Sequence, residues 1–250
     1  MPDPAPRLLS LIVPVYNEAA NFPNLVAEVE RHVPAPYNLY VVYDFDEDTT
    51  VPVARALAAE RPWLHLVKND LGRGVVYAIR KGFQVVTHGP AFVVMADLSD
   101  DLSIVPAMLA LYNQGCQIVC ASRYMRDGKQ IGGPFLKRTL SRVAGLSLRY
   151  GVGFPTHDAT NNFRLYDAAL VNELGIESTG GFELALELTA KAFRRRVKIG
   201  QVPTTWRDRT AGESRFRLTK WLPKYLYWYG YAAYGRLAPQ RRPTSQSVNG

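Results

Sequence analysis

Cysteine is scarce in this 250-residue chain, only Cys116 and Cys120 being present. Both fall in or beside one apolar run, and no second pair completes a zinc site or a disulfide framework. They read as small core residues in a reducing cytosol. No stretch reaches the ~18 consecutive apolar residues of a membrane-spanning helix. Met1-Pro2-Asp3-Pro4-Ala5-Pro6 has neither the basic start nor the apolar segment of a secretory leader. Any contact with a membrane is therefore expected from its surface. The Gly-x-Gly-x-x-Gly spacing of a dinucleotide site is missing after the first apolar run, Asn69-Asp70-Leu71-Gly72-Arg73-Gly74 offering only a glycine pair. There is no internal repeat. Acids are outnumbered, 22 against 30 lysines and arginines for a net charge of +8, which favours an anionic partner: nucleic acid, anionic lipid or a phosphorylated small molecule.

What the chain does have is apolar content, 47%, enough to bury the core of one domain of this length. Short apolar runs at 8–15, 39–43, 64–67, 91–96 and 118–121 alternate with helical patterns at 21–32, 50–59, 75–86 and 103–112. That alternation predicts an α/β fold with a mainly parallel sheet covered on both faces. Ligands of such sheets lie beyond the carboxyl ends of the strands. Tyr16, Asn17 and Glu18, then Asp44 and Asp46, then Asp97 and Ser99, then Ser122 and Arg123 all fall there. Past residue 123 the alternation breaks down. The run 135–150 sets Leu136, Leu140, Val143 and Ser147 on one helical face with Lys137, Arg138, Arg142 and Arg149 elsewhere, a basic amphipathic helix. A helix at 182–193 and a strand at 197–202 follow.

Val13-Pro14-Val15-Tyr16-Asn17-Glu18, Ala96-Asp97-Leu98-Ser99-Asp100, Ala121-Ser122-Arg123-Tyr124 and Asp208-Arg209-Thr210-Ala211-Gly212-Glu213-Ser214-Arg215 together resemble the family-two glycosyltransferases. The resemblance is closest to the dolichyl-phosphate mannosyltransferase-like branch, and it runs from about residue 8 to 234. It implies one GT-A-like domain that binds a nucleotide diphosphate sugar and transfers its hexose, with inversion, to a polyprenyl phosphate at the cytoplasmic face of a membrane. Domain bounds are expected at 8–214, with a flexible start (1–7), an aromatic-basic amphipathic helix (215–236) and a disordered tail (237–250).

The resemblance implies roles residue by residue. Pro14, Tyr16, Glu18, Asp44, Asp46 and Arg73 bind the donor, Asp44 accepting from its base. Asp97 holds Mg2+ or Mn2+ that bridges the donor's two phosphates, with Ser99 beside it. The family's metal motif is usually Asp-x-Asp-x-Gln, where this chain has Met95, Asp97 and Ser99; Asp100 and Asp101 are further oxygens, or caps of the helix that follows. Glu47 and Asp48 also read as caps, for the helix near Thr50. Arg123, Lys137 and Ser141 meet the acceptor phosphate, while Arg209 and Arg215 clamp the diphosphate. Asp158 and Arg164 fit the family's acid-to-Phe-Arg segment, Asn162 standing where the family has glycine.

A phosphate acceptor is already ionised near neutral pH, so no strong general base is expected. A soluble or polysaccharide acceptor would need one, and Asp158 and Glu183 are the residues suited to it. A non-catalytic sugar-nucleotide binder is the other alternative, raised by Met95. Nucleic acid ranks last, since carboxylates crowd the strand ends. The segment 216–234 carries eight of the 28 aromatic residues, with Arg215, Arg217, Lys220 and Lys224 beside them. It reads as a helix at the membrane boundary or one that completes the core.

Overall fold

The structure, a computed structural model, describes residues 8–180, 183–208 and 218–234. Each apolar run becomes a strand and each helical pattern its crossover: β1 (Leu9–Pro14), α1 (Phe22–His32), β2 (Tyr37–Tyr43), α2 (Thr50–Ala58), β3 (Leu64–Lys68), α3 (Val75–Val85), β4 (Pro90–Val93), α4 (Val105–Asn113) and β5 (Ile118–Ser122). After them come β6 (Lys129–Ile131), α5 (Phe135–Val152), β7 (Arg164–Asp167), α6 (Ala168–Leu174), α7 (Leu184–Arg194), β8 (Ile199–Pro203), β9 (Thr205–Arg207) and α8 (Leu218–Tyr234). The main sheet has the order β3-β2-β1-β4-β7-β5-β8, and β6 pairs with β9 alone.

Strand side chains alternate between the two faces with a period of two. Leu11, Val13, Val41 and Val119 meet α1, α2 and α4 through Phe22, Leu25, Val51 and Met108. Ile12, Val42, Val93 and Cys120 meet α3, α6 and α7 through Ile79, Phe83, Leu170 and Leu188. With both faces covered, β1, β4 and β5 are buried along their whole length, which is why they read as continuous apolar runs. Both cysteines are free and buried.

The sequence pattern missed β6, β7, β9 and α6. β7 is antiparallel to both β4 and β5 and opens on the fully buried Arg164. That residue hides the strand from a hydrophobicity reading. Its guanidinium donates to the carbonyls of Asp158, Asn161 and Ala185 and to the Thr189 hydroxyl, so the cation is solvated by the protein itself. The apolar run at 91–96 also ends early: the strand stops at Val93 and the chain turns, Leu98 taking the left-handed φ of 58°. A leucine there is strained, and it sits between two residues of the candidate metal loop.

A third cluster joins α5, α7 and α8 through Leu148, Phe154, Leu186, Ala190, Trp228 and Ala232. The aromatic C-terminal helix thus completes core with one face, while Leu222, Leu226, Tyr227 and Tyr234 stay exposed on the other. The ends of the segment expected there, 215–217 and 235–236, lie outside the described residues. In α5 only Gly145 and Leu148 are buried. Its apolar stripe faces outward, Leu136 and Val143 being 60% and 59% exposed.

Gly145 sets how close α5 comes to the sheet. A Cβ there would stand 2.2 Å from the His157 carbonyl oxygen, a backbone atom that cannot step aside. Gly145→Ala is expected to push α5 outward and cost about 1–3 kcal/mol. Thermal melting should register this as a fall of several degrees, and an unchanged Tm would show that α5 is not seated on the 157–159 loop.

Candidate active site

At the edge of the sheet, the ends of β1, β2 and β3 converge. The Asp44 carboxylate receives Asn69 Nδ2 and the Gly74 amide, each at 2.7 Å, so it closes the 69–74 loop onto β2. Gly74 has a φ of 119°, which glycine alone adopts freely. The Phe45 ring lies edge-on to Tyr16 at 5.7 Å and under the Arg73 guanidinium at 5.4 Å. Tyr16, Asp44 and Arg73 are thereby gathered about one ring, and Phe45 is the member that sequence reasoning passed over. Glu18 accepts from Asn21 at the start of α1. Asp46 forms an exposed ion pair with Lys68. The buried Asp48 takes the Thr50 amide at 2.8 Å and the Asn17 amide at 3.1 Å, so it serves as a cap.

The loop after β4 brings up the acids. Asp97 Oδ1 accepts from the Ser99 amide at 3.1 Å, and the Ser99 carbonyl receives the Arg207 amide at 3.2 Å. These bonds tie the loop to β9. Asp101 caps the 3-10 turn Leu102–Ile104 by accepting from the Ser103 amide. Asp100 is different: burial, and after it the charge of Asp97, push its carboxyl up to about 7. Two neighbouring carboxyl groups are suited to a hard divalent cation. Among the described residues no three acidic, histidine or cysteine side chains converge on one point. Asp97, with Ser99 and Asp100 beside it, would hold a divalent ion only with water or phosphate oxygens completing its shell.

Across the cavity stands an ion pair. Arg123 Nε and Nη2 hold the two oxygens of Asp158 at 2.7 and 2.9 Å, and Nη2 also reaches Ser141 Oγ at 3.2 Å and Thr160 Oγ1 at 3.1 Å. Asp158 is fully buried. Burial opposes its ionisation, yet the neighbouring Arg123 charge and hydrogen bonds hold its carboxyl below the usual range. A carboxylate so held is a poor general base. Arg123 keeps Nη1 for the cavity, that nitrogen making no hydrogen bond among the described residues. Tyr124 donates to Ser141 Oγ at 3.0 Å.

One cavity of about 410 Å3 joins the acidic loop to the Arg123 cluster, while Tyr16, Glu18, Asp44, Asp46 and Arg73 are not among its lining residues. Asp97, Ser99 and Asp100 line one side, and Arg123, Lys137 and Ser141 another; Leu140 and Ala144 of α5 with Leu222 and Tyr225 of α8 carry it toward the surface. Asn162 and Asp208, from two of the motif segments, and Trp206, from none, complete the walls. Glu183 precedes α7, receives the Gly180 amide at 2.8 Å, and has its other oxygen buried without a partner. Arg209 and Arg215 lie outside the described residues.

Residues 10–175 match the family described as Glycosyl transferase family 2. The dolichol-phosphate mannosyltransferase of Pyrococcus furiosus is 27% identical over 215 residues, 84% of this chain. The chain spans only 59% of that relative's length. The polyprenol monophosphomannose synthase of Mycolicibacterium smegmatis is 27% identical over 223 residues, 85% of this chain and 82% of the relative. Among solved structures, glucosyl-3-phosphoglycerate synthase from Mycobacterium tuberculosis, crystallised with Mn2+, uridine diphosphate and glucosyl-3-phosphoglycerate, superposes with a TM-score of 0.65 at 17% identity. The match covers 94% of this chain and 82% of that one, and it shows a shared fold.

Proposed function

The chain belongs to glycosyltransferase family 2, and from that premise we propose that it moves a hexose from a nucleoside diphosphate sugar to a polyprenyl phosphate at the surface of a membrane. The observation that carries the reading is the continuity of the cavity, from the acidic loop past Arg123, Lys137 and Ser141 to the apolar faces of α5 and α8. A lipid whose head is an anion and whose tail is hydrocarbon matches that sequence of walls. Relatives named for transfer to dolichol, polyprenol and undecaprenyl phosphates point the same way.

The donor's nucleoside would lie against Tyr16, Asp44, Phe45 and Arg73, and its diphosphate beside Asp97, Ser99 and Asp100. Mg2+ or Mn2+ bound there supplies positive charge to the departing diphosphate. Lys137 and Arg123 draw the acceptor phosphate to the opposite side, and the Ser141 hydroxyl, held by Tyr124 and Arg123, orients it. The phosphate brings its own negative charge, so the protein has no proton to remove. Attack from the side opposite the leaving group is then one displacement, with inversion. Asp158, committed to Arg123, is unsuited to be the base that a sugar hydroxyl acceptor requires.

No helix of the described residues is long and apolar enough to cross a membrane. The outward stripe of α5 (Leu136, Val143 and the 72%-exposed Phe135), with Arg138 and Arg142 beside it, provides a surface that lies on one. We place it on the cytoplasmic face, where no nucleic acid need be involved. The test is a panel of guanosine and uridine diphosphate hexoses offered with vesicles containing polyprenyl phosphate. One donor should yield a lipid-linked hexose, and the variant Leu136→Glu/Val143→Glu should keep its Tm but float poorly with the vesicles and lose most transfer. Release of free hexose with no glycolipid from any donor would overturn the reading.

A further inference from the structure

We propose that Asn162 reads a hydroxyl group of the transferred sugar and so helps to decide which hexose the cavity accepts; this rests on the function proposed above. Asn162 lines the cavity together with Asp97, Ser99 and Arg123. Its Oδ1 is buried with no hydrogen-bond partner. Its neighbours, by contrast, are spent on the fold. Asn161 donates to the Ala121 carbonyl at 3.1 Å and accepts from the Phe163 amide at 3.2 Å, while Asp158 takes the Asn161 amide at 3.2 Å. The backbone on either side is therefore pinned, and Asn162 is carried on a rigid support with its carboxamide unused.

A buried acceptor without a partner is destabilising and rare. It persists where a ligand supplies the missing donor. The chemistry of that ligand follows from the atom left over. The diester phosphates of a sugar nucleotide are ionised at neutral pH and have no proton to give to Oδ1. A sugar hydroxyl gives its proton to Oδ1 and accepts from Nδ2 through a second lone pair or a vicinal oxygen.

Removing the carboxamide should cost the fold little, because its Oδ1 has no hydrogen-bond partner among the described residues. The experiment titrates the intact chain and Asn162→Ala, in Mg2+, with GDP-mannose beside GDP and with UDP-glucose beside UDP, and records Tm for both proteins. The inference predicts that affinity for the sugar nucleotide falls about five- to tenfold, the size of one hydrogen bond. The bare diphosphate should bind within twofold of before, and Tm should be unchanged or higher. Equal weakening of both ligands, no weakening of either, or a marked fall in Tm would overturn it. If the intact chain binds neither sugar nucleotide, the proposed function itself fails, and the role of Asn162 with it.

Discussion

Replacing Asp97 by alanine is expected to lower hexose transfer by about 100- to 1,000-fold, the kinetic equivalent of losing some 3–4 kcal/mol of charge stabilisation in the transition state. The fold should be untouched. Asp97 is only partly buried and lines the cavity, and its bond to the Ser99 amide belongs to a local turn. Two measurements separate this from general damage. The Tm of Asp97→Ala should match that of the original chain within about 2 °C, and added Mn2+ should stimulate the original but not the variant. Excess chelator should bring the original down to the variant's level. A variant that keeps full turnover in chelator would show that Asp97 carries no metal-linked step.

Arg123→Ala has the largest expected effect on stability. It leaves Asp158, with no exposed surface, facing a cavity where its partner was. Breaking one side of a buried ion pair costs about 3–5 kcal/mol, because the remaining charge is stranded. For a chain of this length that lowers Tm by about 10 °C. The pH dependence distinguishes this cause from lost packing. In the original chain the Asp158 pKa is depressed, so its contribution is present above the ordinary carboxylate value and is lost as pH falls through the folded value. Without Arg123, burial is opposed only by the Arg164 charge and the amides of the 160–161 turn, and the pKa rises. The variant's deficit is then greatest near neutrality and shrinks as pH falls and Asp158 takes up a proton. Arg123→Ala/Asp158→Asn, which removes the stranded charge, should recover much of the loss at pH 7. A deficit that is flat in pH and unrelieved by the second change would mean that Arg123 acts through packing.

The parallel half of the fold was legible because βαβ units announce themselves through buried strands and amphipathic crossovers. β1, β2, β3 and β5 lie within a residue or two of the apolar runs that predicted them. The strand at 164–167 was not, because it begins on a buried arginine whose solvation comes from carbonyls distant in sequence. The site was legible where motifs follow strands: Asp97, Ser99, Arg123, Lys137 and Ser141 do line one cavity. The bidentate partner of Arg123 was not foreseen, since nothing in the sequence joins positions 123 and 158. Nor was the outward turn of the α5 stripe, because an amphipathic pattern shows that one face is apolar without showing what it faces. Asn162 went unused for a similar reason: an orphaned acceptor is visible only in three dimensions.

The most direct test of transfer to a phosphate-headed lipid compares polyprenyl phosphate with the corresponding polyprenol under identical conditions, using the donor the panel selects. Transfer should require the phosphate, should depend on divalent metal, and should rise with pH near 6 as the phosphate loses its second proton, then stay level. Equal transfer to the alcohol, or a rate that tracks a base of the protein instead of the acceptor's ionisation, would contradict it.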